Sequence, residues 1–476
     1  MRFLPFGLAL APLVPFLAWL APLFLLELRF LPRVALWLLL AYALSLLLPA
    51  LFAPEPLALP LALFRLLYAL GLVGAGVALG RRFSGRALAP LGVGLLFLYL
   101  TAFAATYWAY GDKAVEVRLM HPFHSPVGLG LMGTVGVFLA LYVRYPWPFR
   151  LLLGLLGGAV LLLSGSRGGM LGLLLGGAGG LLFRGRGLWA LGLAGLLFFA
   201  AAFLDTPVTE RFFQGHLSGR EGLWFRAYEV YAAHPWTGVG PYLLGDYLKG
   251  VLFGDCFLFP LLEAKGLRCP EALAPLGGLW TFAHNHLLHA LGESGVGGAL
   301  GLVLLVGGFL AAAWGEGLLF SLLLAYVAMG MVDNPFSVPS PFRGEIFFLA
   351  GGIALSRRAP GPAALGLAGG VTLLWALPFF YLALAPLPPA PRLLYAALGR
   401  EGGVVRFEAG EGYRAQVWLC AKGCRRVGWE WDGGQSIAFR LPEDLEPGTY
   451  RLRVLLFAPG RLAQRPVYLL EREVVR

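Results

Sequence analysis

Long apolar runs alternate with short breaks over the first 388 residues, and most of the breaks carry arginine or proline. Runs of about 17 to 25 residues are long enough for a helix to cross a hydrocarbon core roughly 30 Å thick. The pattern predicts spans over 4–28, 34–53, 60–80, 87–108, 125–143, 150–166, 168–183, 187–204, 295–315, 317–332, 343–356 and 363–388, about twelve transmembrane helices in all. The first run is longer than the apolar core of a signal peptide and is expected to stay as an uncleaved span. Beyond 399 the period changes. Short runs at 404–408, 414–420, 426–431, 436–441, 449–456 and 467–472 read as strands, with Asp432-Gly433-Gly434 and Glu446-Pro447-Gly448 as turns. The expectation is a polytopic α-helical membrane protein with a membrane domain over 1–398, a large outer loop over 205–294, and a small C-terminal β-sandwich-like domain over 399–476.

Composition excludes a soluble globular chain: of 476 residues 58% are hydrophobic and only 13% charged, with a mean hydropathy of +0.74. The formal charge of +11 comes from scattered single and paired cations. Arg29 and Arg33, Arg81, Arg82 and Arg86, Arg144 and Arg150, Arg184 and Arg186, and Arg357 and Arg358 fall in alternate loops. Short loops rich in Lys and Arg stay on the cytoplasmic side, so these loops share that face. The other face receives 109–124, the turn Ser164 to Arg167, the loop 205–294, 333–342 and everything after 389. The same count puts Met1 outside, against the weight of Arg2. No basic stripe interleaved with aromatics is present, so nucleic acid is not an expected partner. Membrane lipids are. Cys256 with Cys269 and Cys420 with Cys424 all lie on the outer side, where an oxidising compartment permits two local disulfides, with free thiols as the alternative.

Candidate chemistry concentrates in and beside the long loop. Ala283-His284-Asn285-His286-Leu287-Leu288-His289 holds three of the seven histidines, and imidazole exchanges a proton near neutrality. Metal binding is the competing use for His284, His286, His289 and Glu293, but the H-E-x-x-H pattern is missing and His284 points away from the face shared by the others. His286 and His289 are expected to bond loop carbonyls. Ser218-Gly219-Arg220-Glu221 is a capping box that starts a helix over 219–233, closed by His234-Pro235. A helix start with Arg220 in its first turn suits an anion. Arg167 sits in Ser164-Gly165-Ser166-Arg167-Gly168-Gly169 between two spans, where arginine lines a polar cavity or reaches headgroups. His121 and His124, and Asp333 and Asn334, follow or precede spans on the same face.

The run His284-Asn285, nine residues, Gly295, two residues, Gly298 resembles the histidine motif of the bacterial O-antigen ligase and polymerase superfamily. Ser166-Arg167 is similar to that family's first arginine site. Ser218-Gly219-Arg220-Glu221 with Trp224, followed by His234-Pro235-Trp236-Thr237-Gly238-Val239-Gly240, is similar to its second. The resemblance covers roughly 150–350, and the β-rich tail departs from the simplest ligase pattern. It implies a multi-pass protein of the bacterial cytoplasmic membrane, with its site on the periplasmic face. Such enzymes move a glycan from a polyprenyl diphosphate carrier to a lipid, glycan or protein acceptor. His284 is then the base for the acceptor hydroxyl, and Arg167 and Arg220 hold the diphosphate. Asn285, Ser166, Trp224, His234, His124 and Asp333 are candidate substrate contacts. No metal or other cofactor is implied, and inversion at the anomeric carbon is expected. A transporter of lipid-linked sugars is the competing class. It requires ionisable residues near span centres, and only Arg65 and Glu345 qualify. A non-catalytic envelope scaffold is the third.

Overall fold

Prolines and short polar turns decide where the helices stop. A computed structural model describes residues 4–83, 86–183, 186–204, 206–213, 220–248, 281–339, 343–384, 391–399, 401–408, 414–420, 424–430, 436–441, 445–457 and 468–475. The expected first span is not one helix. Helix α1 covers Leu4–Leu10, and a 3₁₀ stretch follows over Pro15–Phe30. Pro12 and Pro15 donate no amide hydrogen, so an α-helical ladder cannot run through them.

The helices that follow are α2 (Arg33–Leu51), α3 (Ala58–Phe83), α4 (Ala89–Tyr110), α5 (Pro126–Tyr142), α6 (Trp147–Leu163), α7 (Arg167–Leu181), α8 (Gly187–Leu204), α9 (Pro207–Glu210), α10 (Arg220–Ala233), α11 (Leu244–Leu248), α12 (His286–Ala312), α13 (Gly317–Met329), α14 (Glu345–Arg357) and α15 (Ala363–Leu384). Six described stretches are long and apolar enough to cross a membrane: α2, α3, Ala89–Val115, α8, α12 and Ala363–Phe380. The expected spans at 125–143, 150–166 and 317–332 form apolar helices α5, α6 and α13 that are shorter, and α7 and α14 have 15 and 13 residues. Polar turns cut these helices short; Ser166, for example, caps α7 two residues after α6 closes at Ser164.

By contacts the chain divides into two units: 1–214 with 230–249 and 253–376, and 377–476 with 215–229 and 250–252. Small residues draw the helices of the first unit together. A Cβ on Gly169 would stand 2.9 Å from the Gly130 carbonyl, and Thr134 Oγ1 donates to Gly169 O at 2.9 Å across the same α5–α7 seam. Near the 3₁₀ stretch, Glu27 takes Arg81 at 3.3 Å and Arg82 at 3.0 Å, which ties that stretch to the end of α3.

In the second unit, strands β1 (Arg392–Leu398), β2 (Gly402–Glu408) and β5 (Ser436–Arg440) form one antiparallel sheet in the order β1-β2-β5. Strands β4 (Cys424–Glu430), β3 (Arg414–Cys420), β6 (Thr449–Phe457) and β7 (Tyr468–Val475) form the other, in that order. Alternate residues of both sheets share one core: Val405 and Phe407, Ile437 and Phe439, Val417 and Leu419, Leu452, Val454 and Leu456. Strand β1 lies ahead of the expected strands, in a segment whose Leu393, Leu394 and Tyr395 blend into the preceding apolar run. Cys420 is disulfide-bonded, and the register sets it opposite Cys424. Cys256 and Cys269 lie outside the described residues.

Candidate active site

Asn285 sets the entry to α12. Its side chain accepts from Leu288 N at 3.2 Å as the N-cap, while Nδ2 donates to Met331 O at 3.0 Å and Trp375 O at 3.1 Å. The His286 amide donates to Gly330 O at 2.9 Å. These bonds pin the start of α12 to the end of α13 and force His284 into left-handed backbone, φ 52°, a conformation that costs a residue with a Cβ roughly 1–3 kcal/mol. The imidazole is thereby turned to Asp333, with Nδ1 2.5 Å from Oδ1. A carboxylate only accepts, so Nδ1 donates. The Asp333 side chain is 1% exposed and that of His284 26%. The pair is closed on its carboxylate side and open at the ring.

Helix α12 breaks nine residues further on. Gly295 has φ 61° and ψ −165°, which frees the carbonyls of the preceding turn. The segment after His234 supplies partners: Val239 N donates to Gly292 O at 3.0 Å, Gly240 N to Glu293 O at 2.8 Å, and Val296 N donates to Pro235 O at 2.9 Å. A Cβ on Gly295 would stand 2.6 Å from Trp236 O, and one on Gly238, itself at φ 59°, 2.5 Å from Glu293 O. Glycine is therefore required on both sides of this clasp. His234 ends α10, its amide bonding Val230 O at 3.0 Å and its carbonyl accepting from Gly238 N at 2.8 Å.

Glu293 holds the clasp from inside. Arg65 of α3 grips it with both terminal guanidinium nitrogens, Nη1 and Nη2, Tyr242 N donates to it at 2.6 Å, and His289 Nε2 lies 3.2 Å away. Arg65 also stacks 4.0 Å over the Tyr242 ring. Burial pushes the Tyr242 phenol up to about 12, and its hydroxyl donates to Val338 O. His289 Nδ1 accepts from Ala283 N at 3.5 Å, and His286 Nδ1 faces Asn334 Nδ2 at 3.4 Å. Both histidines were expected on loop carbonyls; amide and side-chain partners take that place, because α12 begins at His286 and turns them inward. Among the described residues no group of three or more His, Cys, Asp or Glu side chains is set to hold a metal ion.

The turn Ser164 to Arg167 comes to the same end of the unit. Ser166 is buried and caps α7 by accepting from Gly169 N at 3.1 Å, and Arg167 is the first residue of that helix, half-buried. A Cβ on Gly168 would stand 3.2 Å from Val332 Cγ2. The start of α7 therefore packs on the residue that precedes Asp333. Arg220 and Trp224 belong to the second unit; there Trp224 is buried with its ring 5.7 Å from Phe379. Helix α10 is described from Arg220 onward, inside the expected 219–233. Ser218 and Gly219 of the capping box lie outside the described residues.

His124 is engaged in a different cluster. Its Nε2 lies 2.7 Å from Pro12 O and 3.0 Å from Arg343 Nη2, and its Nδ1 accepts from Arg343 Nε at 3.3 Å. The His121 ring stands edge-on at 5.0 Å. Burial, then the Arg343 charge, pushes His121 down to about 4 and His124 well below the ordinary imidazole range. A cavity of about 410 Å³, lined by Leu8, Pro12, Leu79, Leu91, Arg343 and Glu345 among others, opens beside this cluster and includes neither His284 nor Asp333 in its wall.

Nothing in the sequence marks Arg118, Arg211, Tyr242 or Arg343; of the network around Glu293, Arg65 stands out by its charge inside an apolar run, and Glu293 and His289 by their spacing after His284. Compared with models of known protein families and with curated protein sequences, the chain matches none.

Proposed function

We propose that the protein transfers a preassembled glycan from a polyprenyl diphosphate carrier to an acceptor hydroxyl, as members of the O-antigen ligase and polymerase superfamily do. The observation that carries this is the pair His284–Asp333, oriented at Nδ1 and open at the ring. Nε2 takes the proton of the acceptor hydroxyl as its oxygen attacks the anomeric carbon. The bond from that carbon to the diphosphate breaks, and its electron pair leaves on the diphosphate. Asp333 holds the tautomer and stabilises the imidazolium. Arg167, and Arg220 by its motif, bind the charge on the leaving diphosphate. Attack opposite the leaving group inverts the sugar. Lipid core, growing glycan and protein hydroxyl are all acceptors for the same chemistry.

We place this reaction at the outer face of a bacterial cytoplasmic membrane crossed about twelve times, following the runs of apolar residues and the arginine-marked loops. The disulfide at Cys420 supports an oxidising compartment for the C-terminal domain.

The test is incubation of purified protein with a polyprenyl diphosphate-linked glycan and lipid, glycan and peptide acceptors. Transfer by the wild type and its loss in His284→Ala are expected; full transfer by the variant removes the base. The buried Arg65–Glu293 pair within apolar helices favours a second function, transport of a lipid-linked sugar. Vesicle uptake of the donor without transfer to any acceptor would establish it.

A further inference from the structure

A cavity and an arginine cluster in the first unit share two elements. About three residues make one turn of a 3₁₀ helix, which sets Ala18, Ala21, Phe24 and Glu27 of the 3₁₀ stretch in one row. The first three line the cavity of about 410 Å³, and Glu27 is the next step beyond it. On α3 the helical period places Leu72, Ala75, Leu79 and Arg82 on one face, and again all but the last line the cavity. A Cβ on Gly71 would strike the Ala21 backbone and one on Gly74 the Phe24 backbone, so the two elements touch and run in the same direction. Both rows therefore lead from the cavity to charged residues at one end. There Glu27, its side chain 5% exposed, takes Arg81 at 3.3 Å and Arg82 at 3.0 Å. Arg81 Cζ stands 3.4 Å from the centre of the Phe30 ring, and Arg29 Cζ stands 4.7 Å from the same centre. Three guanidinium groups thus gather around one carboxylate. Arg81 and Arg82 remain more than a third exposed, so the excess positive charge is open to a ligand. At the other end of the cavity Arg343 and Glu345 stand together, and Arg343 is already engaged by His124 and Phe123 O. The cavity has a charge excess at one end only.

We infer that the cavity and the cluster form one binding site for an acidic glycerophospholipid, with an acyl chain in the cavity and the headgroup phosphate on Arg29, Arg81 and Arg82. A phosphate diester is anionic, and guanidinium forks match its oxygens. An acyl chain laid along the apolar walls adds dispersion contacts over its length. A zwitterionic lipid offers the same chain, but its own cation opposes the cluster. His284 and Asp333 do not line the cavity, and the lipid takes no part in the proposed transfer.

The test is native mass spectrometry of the full-length protein in a non-ionic detergent, titrated with phosphatidylglycerol, phosphatidylcholine of the same chains, glycerol phosphate and undecaprenyl phosphate. Phosphatidylglycerol is expected to bind about 10-fold more tightly than phosphatidylcholine, and Arg29→Gln to weaken it about fivefold while leaving phosphatidylcholine unchanged. Arg29 has no ion pair among the described residues, so this substitution strands no carboxylate. Glu27→Gln releases both guanidinium groups and should tighten phosphatidylglycerol by a similar factor, a gain that a purely structural ion pair would not give. The chain is tested separately. Gly7 lines the cavity and a Cβ there meets nothing within 4 Å, so Gly7→Phe reaches into the cavity without striking the protein. It should weaken both phospholipids about 10-fold by overfilling the space, with their ratio kept. Arg186→Gln, in another loop, should bind as wild type. Equal affinity of the wild type for the two phospholipids overturns the site, as does phosphatidylglycerol binding that responds to neither Arg29→Gln nor Glu27→Gln. Glycerol phosphate binding as tightly as phosphatidylglycerol, or Gly7→Phe binding as wild type, removes the chain from the cavity and overturns it too. Undecaprenyl phosphate displacing phosphatidylglycerol at equal concentration would give the cavity to a polyprenyl chain and overturn the assignment to a glycerophospholipid.

Discussion

Two histidine centres in the first unit use the same side chain with opposite partners. His284 has a carboxylate at Nδ1 and an open ring face. His124 has a guanidinium on both nitrogens, a backbone carbonyl at Nε2, and 4% exposure. A carboxylate fixes the orientation of the ring it faces, whereas burial beside a cation opposes protonation. The first arrangement leaves a ring face open beside a carboxylate, and the second is built to refuse a proton. Sequence alone presents both as histidines on the outer side of spans, so the neighbours, supplied by distant segments, decide the role.

The largest expected effect separates the two directly. His284→Ala should lower glycan transfer by roughly 10² to 10⁴-fold, the usual worth of a positioned base. Transfer within a fewfold of wild type would leave His284 no more chemical than His124. Next comes Asp333→Asn, which keeps shape but removes the charge that orients the ring. A loss of roughly 10- to 100-fold is expected in transfer with the melting temperature little changed. Unchanged transfer would reduce the 2.5 Å contact to a structural bond. Third, His124→Ala strips partners from Pro12 O and Arg343 and should cost about 1–3 kcal/mol of stability, read by chemical or thermal unfolding, while transfer per folded molecule stays at the wild-type rate. A selective loss of transfer would return His124 to the substrate site that its position in the sequence suggests.

How far each centre was legible follows from the range of the interactions that make it. The start of α12 is local, since Asn285 caps Leu288, whereas Gly295 and Gly238 belong to a longer-range clasp and sit where a side chain would strike backbone. Those residues stand out in the linear motif. The strands were legible for a similar reason, since Val405 and Phe407, and Leu452, Val454 and Leu456, alternate with outward residues. Strand β1 escaped because its apolar residues continue the preceding run. The pairing of His284 with Asp333 spans 49 positions and that of Arg65 with Glu293 spans 228, so neither has a local signature. The first span failed for a local reason that hydropathy ignores: Pro12 and Pro15 are apolar enough to extend the run yet cannot extend the helix.

The smallest effect is on acid stability, and its sign tests the second centre alone. His121 is held down to about 4 in the folded protein, against about 6.5 in an unfolded chain. Between those values the unfolded state binds more protons, so stability rises with pH across the window. The contribution is complete above about pH 6.5, is lost as pH falls toward 4, and amounts to at most about 3 kcal/mol. His121→Gln removes the titration, so its melting temperature should fall less than that of wild type between these limits. The charge that faces His121 comes from Arg343, and the neighbouring ring from His124. Arg343→Gln should therefore narrow the window from its acid side by letting His121 protonate at higher pH. Melting curves of wild type and His121→Gln that run parallel from pH 6.5 to 4 would mean that His121 titrates as it does in the unfolded chain. The contrast between a proton-refusing centre and one with an open ring would then rest on His124 alone.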